Sequence, residues 1–384
     1  MSQRLVILTE IIAPYRIPVF NALAQRPEID LHVIFLAEND PGLRQWLVYK
    51  DEIHFSYQVL PSWRRRLGKY SLLVNRGLAA ALRAASPDVI LCGGYNYPAS
   101  WESMLWARRK GVRFYLWVES NAQDQRGGRI WVESLKRKFV RHCDGFVVPG
   151  KASFEYVKSF GVEDESIFTA PNAVDTARFA EEAARVREND QRQRAALGLP
   201  ERYFLFVGRL VLEKGVFDLL QAYGTLAAKL REEMGLVFVG DGVARASLQR
   251  LAADIKPARV QFAGFAHREQ LAAYYALADV LVFPTHTDTW GLAVNEAMAC
   301  GLPIIATSAA GCTADLVSDA WNGRVIRARE IGQIASAMAQ IAGDKELRLL
   351  MGQRSRERIK GYSPEACAAG IAEAALSCEV GCRG

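Results

Sequence analysis

In the first half of the chain, short apolar runs alternate with longer stretches in which apolar residues recur every three or four positions. Residues 5–8, 32–36, 89–92, 114–118 and 146–148 are rich in β-branched and aromatic side chains and read as buried strands. Residues 19–24, 72–85 and 131–142 carry the helical period. Ser86-Pro87-Asp88 closes one helix and opens the next strand. Strands alternating with helices predict a parallel, doubly wound sheet.

A turn-like linker, Ala170-Pro171-Asn172-Ala173-Val174-Asp175, then leads into a polar segment with a helical pattern over 180–195, closed by Gly198-Leu199-Pro200. The alternation restarts with strands at 203–207, 236–239, 260–263, 280–283 and 303–306, so a second doubly wound domain is expected. No sequence repeat relates the halves. The tail from 364 to about 378 reads as an alanine-rich helix with Ser363 as its N-cap.

The 384 residues agree with two or three domains at roughly 150 residues each. Half are apolar and 23% are charged, the profile of a globular protein. The net charge of +6 is unevenly spread. Residues 1–180 hold 24 Lys and Arg against 18 Asp and Glu, and the remainder is balanced at 24 and 24. The surplus points to an anionic neighbour for the first half. No apolar run approaches a spanning helix and no leader is visible, so a cytoplasmic protein is expected, with association to the inner face of a membrane open to it. Two segments favour that association. In 129–142, Trp131, Leu135 and Phe139 recur at helical spacing among Lys136, Arg137, Lys138 and Arg141; the loop 63–70 contains Trp63-Arg64-Arg65-Arg66. The alternative for the first is a helix packed on the sheet with a solvated back. No nucleic-acid-binding module appears, and no nucleic-acid partner is expected. The seven cysteines are odd in number and scattered, in keeping with reduced thiols. Cys378 and Cys382 lack a second ligand pair for a metal.

Gly145-Phe146-Val147-Val148-Pro149-Gly150-Lys151 has the glycine spacing of a phosphate loop. Ala152 stands where a hydroxyl would hold magnesium, and the intervening residues form an apolar strand, so that reading is rejected. Gly240-Asp241-Gly242 with Arg245 marks a tight strand-to-helix turn. The stronger cluster has two parts. In Gly208-Arg209-Leu210-Val211-Leu212-Glu213-Lys214-Gly215 a strand ends in glycine, and two cations flank a short loop, an arrangement able to hold a diphosphate. The alternative is a solvated loop. In the second part a strand ends at Pro284, a helix opens near Gly291, Asp288 sits at the rim and Glu296 lies inside the helix. The free N–H groups at that opening attract phosphate. Glu296 can accept both hydroxyls of a ribose; the alternative is a solvated helix face, against which the apolar neighbours Ala297, Met298 and Cys300 place it on a cleft.

These segments resemble the GT-B glycosyltransferases of family 4. The likeness lies in the Gly-Arg-Leu…Glu-Lys-Gly loop, Val239-Gly240-Asp241-Gly242, residues 260–265, the acid-x7-Glu motif with Ala297-Met298-Ala299-Cys300-Gly301-Leu302-Pro303, Pro171-Asn172…Val174-Asp175, and Arg178-Phe179. It is dense over 170–310 and looser elsewhere. The loop Thr9–Arg16 is similar to that of a subgroup with a Pro-Tyr-Arg element in place of glycines, with Asp288 standing where the family usually has Glu. The resemblance implies an α/β, GT-B fold of two doubly wound Rossmann-like domains facing across a cleft. Residues 1–170 would bind the acceptor, 171–363 would bind the donor, and the helix 364–378 would pack back on the first domain.

The resemblance also implies retaining transfer from a nucleoside diphosphate sugar, used as co-substrate with no cofactor or metal, to a glycan or lipid-linked acceptor in cell-surface polysaccharide or glycolipid synthesis. Arg209 and Lys214 would hold the diphosphate, with Gly208 and Gly240 in the donor site. Asp288 would touch the donor sugar and Glu296 the ribose. The backbone at Gly291 and Leu292 would meet phosphate, and that near Phe265 the base. Glu119 ends a strand where the family has a sugar-contacting histidine; the alternative for it is a stabilising pair with a nearby arginine. Arg16 is a candidate contact for phosphate or acceptor, against a plain surface arginine. Tyr95 and Asn96 are candidates for the acceptor side, against a plain turn. A sugar-nucleotide epimerase of the same fold and a non-catalytic nucleotide-sugar binder are the rival functions.

Overall fold

The computed structural model of the chain describes residues 2–40, 47–67, 70–122, 130–257 and 259–377. Contacts divide it into two units, Met1–Ala173 with Pro364–Gly384, and Val174–Ser363.

The first unit contains β1 (Gln3–Thr9), α1 (Ile17–Ala24), β2 (Ile29–Phe35), β3 (Ser56–Val59), β4 (Ser62–Leu67), β5 (Tyr70–Asn75), α2 (Leu78–Ala85), β6 (Val89–Cys92), α3 (Pro98–Lys110), β7 (Arg113–Trp117), α4 (Ile130–Val140), β8 (Gly145–Val148), α5 (Lys151–Lys158) and β9 (Ile167–Thr169). Seven parallel strands run in the order β3-β2-β1-β6-β7-β8-β9. Successive side chains of β1 enter opposite cores. Leu5 and Ile7 pack with Phe20 and Ile371, whereas Val6 and Leu8 pack with Leu82 and Phe114. Burial on both faces explains why these strands read as unbroken apolar runs.

Two expectations fail in this unit. The helix expected over 72–85 exists only as α2, and the segment expected to be a loop at 63–70 is largely strand. Residues of β4 and β5 pair antiparallel, with Trp63 opposite Val74 and Arg64 opposite Leu73. Leu73 is fully buried, and the Asn75 amide donates to the Leu36 carbonyl at 2.6 Å. Tertiary pairing overrides the local helical period here, and Gly77, with φ 84°, separates strand from helix. In α4, Phe139 turns inward onto Trp101 and Phe114, while Leu135 is exposed. The helix therefore packs on the unit through Phe139, and Leu135 and Phe139 do not form one lipid-facing stripe. Arg129 and the side chain of Trp131 lie outside the described residues, as do Gly68, Lys69, Cys378 and Cys382.

The second unit contains α6 (Thr176–Glu188), α7 (Asp190–Leu197), β10 (Tyr203–Val207), α8 (Val216–Thr225), α9 (Ala228–Glu233), β11 (Gly235–Val239), α10 (Arg245–Ala253), β12 (Val260–Gly264), α11 (Arg268–Leu277), β13 (Val280–Phe283), α12 (Leu292–Ala299), β14 (Ile304–Thr307), α13 (Thr313–Leu316), β15 (Gly323–Ile326), α14 (Ile331–Gly343) and α15 (Lys345–Ile359). Its strands run β12-β11-β10-β13-β14-β15, all parallel. The order reverses between β10 and β13, as it does between β1 and β6 in the first unit. Ligands of open α/β sheets bind outside the carboxyl ends of the strands at such reversals.

The last helix, α16 (Pro364–Leu376), belongs to the first unit and packs along α1 and β9. Gly370 permits this approach, because a Cβ there would lie 2.1 Å from the Thr169 carbonyl oxygen. The Arg113 guanidinium donates to the Ala375 carbonyl at 2.9 Å and so ties down the helix end.

Candidate active site

At the β10/β13 reversal three loops converge. The Gly208 N–H donates to Val239, and the Gly240 N–H donates to Gly264. The Leu210 N–H donates to Asp241, and the Ala244 N–H donates to Leu210. Glycine is required at this junction. Gly240 has φ 131°, and a Cβ on it would lie 2.0 Å from the Gly208 oxygen. Gly215 has φ 66°, and a Cβ there would lie 2.0 Å from the Pro284 oxygen.

Lys214 and Asp288, from separate loops, meet at 2.5 Å with both side chains largely shielded. The other Asp288 oxygen accepts the Trp290 N–H at 3.3 Å. Arg209, in contrast, is exposed, and its side chain makes no hydrogen bond or ion pair among the described residues, while its carbonyl accepts the Val211 N–H at 3.0 Å. The two loops are fastened by contacts that sequence reasoning did not find. The His286 N–H donates to the Glu213 carbonyl at 2.9 Å. The Thr285 hydroxyl donates to the same oxygen at 3.0 Å. The His286 ring lies 2.7 Å from Asp218, in the first turn of α8. Asp218 follows the Lys214-Gly215 turn closely, which was the one available signal.

Gly291 caps α12 with φ 106°, and a Cβ would press on the Phe283 ring at 2.7 Å. The first N–H groups of a helix have no partner within it, so Leu292 sits at an anion-attracting end. The buried Trp290 indole donates to Asn295 at 2.9 Å and anchors the turn. Glu296 is half-buried on α12, and burial pushes its carboxyl up to about 7 although the Tyr275 hydroxyl, donating at 2.6 Å, pulls the other way. Tyr275 is itself buried on α11 and was not foreseen as a partner. Phe265 follows β12 and is 42% exposed. Arg209 and Lys214 lie on the loop that follows β10, Asp288 and Gly291 on the loop that follows β13, and Glu296 in the helix α12 beyond it.

In the first unit, the β1/β6 reversal opens onto a cavity of about 140 Å³ lined by residues including Glu10, Tyr15, Arg16, Gly93, Trp117 and Glu119. Arg16 is not a surface arginine. It pairs with Glu119 at 2.8 Å, and its guanidinium lies 3.9 Å from the centre of the Trp117 ring. Burial opposes the Arg16 charge, and Glu119 and Tyr15 outweigh it. Glu119 lines this cavity and forms the arginine pair that is its alternative reading. Tyr95 does not line the cavity. Its ring packs on Phe139 and its carbonyl accepts the Trp101 indole N–H. Asn96 is exposed nearby. Among the described residues, no group of three or more His, Cys, Asp or Glu is placed to hold a metal ion, and no helix is long and apolar enough to cross a membrane.

Both units have the GT-B pattern, and full-length structural likeness agrees. Anabaena HepE in complex with UDP and glucose superposes with a TM-score of 0.74 over 98% of this chain and 100% of that one, at 16% identity. Sucrose-phosphate synthase from Thermosynechococcus elongatus gives 0.70 over 97% and 98%, at 20% identity. Residues 20–178 match the model described as Glycosyltransferase Family 4, and residues 187–358 match Glycosyl transferases group 1. The two matches, one in each unit, support a glycosyltransferase of GT-B fold. Among curated relatives, D-inositol 3-phosphate glycosyltransferase of Corynebacterium jeikeium is 28% identical over 56% of this chain and 52% of its own length. A GDP-mannose-dependent alpha-(1-6)-phosphatidylinositol monomannoside mannosyltransferase of Mycobacterium tuberculosis is 33% identical over 49% and 50%. The chain spans about half the length of these two curated relatives.

Proposed function

We propose that the chain is a retaining glycosyltransferase that moves a sugar from a nucleoside diphosphate sugar to an acceptor hydroxyl, in the making of a cell-surface polysaccharide or glycolipid. The observation that carries this reading is the convergence of Arg209, the Lys214–Asp288 pair and the α12 N-terminus at the β10/β13 reversal. On this reading the arriving diphosphate draws Lys214 away from Asp288, and the released carboxylate turns to a hydroxyl of the donor sugar. Arg209 and the N–H groups beside Gly291 and Leu292 share the phosphate charge. Glu296, steadied by Tyr275, accepts the ribose hydroxyls, and Phe265 lies against the base. Gly208 and Gly240 let the backbone come close.

Charge grows on the leaving diphosphate as the glycosidic bond breaks. Cations gathered at the diphosphate therefore stabilise the transition state more than the ground state, which is the work a metal would otherwise do. The proton of the acceptor hydroxyl passes to the leaving phosphate oxygen, so no separate general base is required. A lipid-linked or glycan acceptor at an anionic membrane face agrees with the cationic surplus of residues 1–180.

The test is a panel of UDP-, GDP- and ADP-sugars incubated with glycan and lipid-linked acceptors, with and without EDTA. Acceptor-dependent nucleotide release that survives EDTA, with a product of unchanged anomeric configuration by NMR, is expected. Release no greater than that of Lys214→Ala across the panel sinks the reading. Loss in EDTA restored by magnesium or manganese would reassign the leaving-group charge to a metal.

A further inference from the structure

Two side-chain ties join the segment that follows β10 to the loop that follows β13. One is the Lys214–Asp288 pair, which an arriving diphosphate must break. The other uses neither of these residues. Asp218, in the first turn of α8, meets the His286 ring at 2.7 Å, and both side chains are largely shielded, at 16% and 11% exposure. A carboxylate in the first turn of a helix is favoured by the helix dipole as well. Neither side chain has another hydrogen-bond or ion-pair partner among the described residues, so each is committed to the other.

The second tie is rooted in the core. Thr285 is fully buried, and its carbonyl accepts the Thr307 hydroxyl at 2.6 Å, which fixes the exit of β13 against the end of β14. His286 follows directly, and its N–H donates to the Glu213 carbonyl at 2.9 Å. The Thr285 hydroxyl also reaches that carbonyl, at 3.0 Å. It has one proton to give and stands nearer to the Thr287 carbonyl, at 2.8 Å, so the His286 N–H is the undivided donor. Lys214 therefore lies between two points that one residue holds. The carbonyl just before it is held by the His286 backbone, and Asp218, four positions after it, is held by the His286 ring. Gly215, in the left-handed region at φ 66°, turns the chain between those points. A lysine stem is flexible, so its ammonium is aimed by the backbone that bears it.

We infer that His286 and Asp218 are positioning residues for Lys214: their contact keeps the Lys214 backbone in place at the β10/β13 reversal once the donor has drawn the ammonium away from Asp288. Before the donor arrives, both side-chain ties hold the loop. Afterwards only the His286–Asp218 tie remains, at the stage when charge grows on the leaving group. A charge stabilises a transition state fully only if it needs no reordering during the reaction. Loss of the tie therefore lowers the rate, whereas Arg209 and the α12 N-terminus still hold the diphosphate of the ground state. The effect on rate rests on the glycosyltransferase reading; the ordering of the loop does not.

The test uses the full chain, with steady-state kinetics beside hydrogen exchange read by mass spectrometry. Asp218→Ala and His286→Ala should each lower kcat by about 10- to 100-fold, the scale of a displaced catalytic group, while KM for the nucleotide sugar changes by less than about twofold. Asp218→Asn keeps an acceptor for the ring and His286→Gln keeps a donor for the carboxylate, so both should retain kcat to within about threefold. In a Lys214→Ala background neither Ala change should slow turnover further, because the group that the pair positions is gone. Exchange of the peptide spanning 209–217 should quicken in the two Ala variants, with the rest of the second unit outside 283–288 unchanged. Circular dichroism checks that each variant folds. Ala variants with the parent's kcat overturn the inference. So does a full further loss of rate in the Lys214→Ala background, which would make the pair a general brace of the fold. If the parent turns over no nucleotide sugar, the glycosyltransferase reading falls and exchange alone decides. Quickening confined to the loop then keeps the pair as the holder of Lys214, and unchanged exchange removes it.

Discussion

Lys214 is held by Asp288 at 2.5 Å, so a diphosphate must compete with a carboxylate for it. If Lys214 neutralises the leaving group, Lys214→Ala slows turnover by at least ~100-fold, about 2.7 kcal/mol of transition-state stabilisation. Nucleotide-sugar affinity falls less than the rate, because charge on the leaving group grows during the reaction. The melt should move little, since Asp288 keeps the Trp290 N–H. Steady-state kinetics beside a thermal melt decide this, and near-normal turnover of the variant moves the donor site elsewhere. The reciprocal change has the opposite sign in binding. Asp288→Asn frees Lys214, so UDP or GDP alone should bind more tightly while turnover drops. Weaker nucleotide binding by titration calorimetry would mean that the pair is not a competitor. Glu296 supplies a pH signature. Its carboxyl titrates at about 7, above the ordinary 4.5, so between those values the folded chain keeps a proton that the unfolded chain has lost. Stability therefore falls as pH rises from about 4.5 to about 7 and levels off above. Glu296→Gln should abolish that fall. Equal melting-temperature slopes for the two proteins between pH 5 and pH 8 would contradict the assignment.

At the level of elements, the glycine turns join the site to the fold. Gly215 lies between the Lys214 loop and α8, in the left-handed region, with the Pro284 carbonyl where a Cβ would go. Gly215→Ala should cost at least ~1–2 kcal/mol from backbone strain alone, before the loops are forced apart. A denaturant midpoint shift of that size, with loss of nucleotide binding, is expected; a variant as stable as its parent would mean that the two loops part without penalty. Such turns were legible in the sequence, and so were strands buried on both faces, because each leaves a local mark: an apolar run, then a glycine. The β4–β5 hairpin was not legible, since Leu72, Leu73 and Val74 suit a helix period equally well until Trp63 and Arg64 pair with them. The long-range partners left no mark either. Tyr275 with Glu296, His286 with Asp218, and Arg64 with Glu10 come from different elements, and only the folded chain brings each pair within bonding distance. The candidate donor residues were found through motif spacing. What holds them in place was not.

At the scale of the whole molecule, the cationic surplus of residues 1–180 asks for an anionic partner. The hairpin alters which residues can meet it. Arg64 turns inward to Glu10 and Asp40, whereas Trp63, Leu72 and Val74 are 55%, 38% and 40% exposed beside the exposed Arg65. On α4, Leu135 is 52% exposed, and Arg137 and Lys138 are exposed with it. Apolar side chains among cations suit the interface of an anionic bilayer, where rings and leucines enter the headgroup region and the charges remain at its surface. Vesicles containing phosphatidylglycerol should therefore retain the protein, and neutral phosphatidylcholine vesicles should not. Salt should release it, because surface attraction is screened within about 8 Å at physiological ionic strength. Two variants separate the contributions. Arg65→Glu should weaken retention and flatten its salt dependence, since a phosphate contact is lost. Trp63→Ser should weaken retention at every salt concentration without changing the slope, since an apolar anchor is lost. Neither side chain enters a core, so melting temperatures should stay within the small range of surface substitutions. Cosedimentation with the two vesicle types over a salt series reads all of this. Equal partition of the parent onto neutral and anionic vesicles would remove the membrane from the account and leave the surplus to steer a soluble anionic partner.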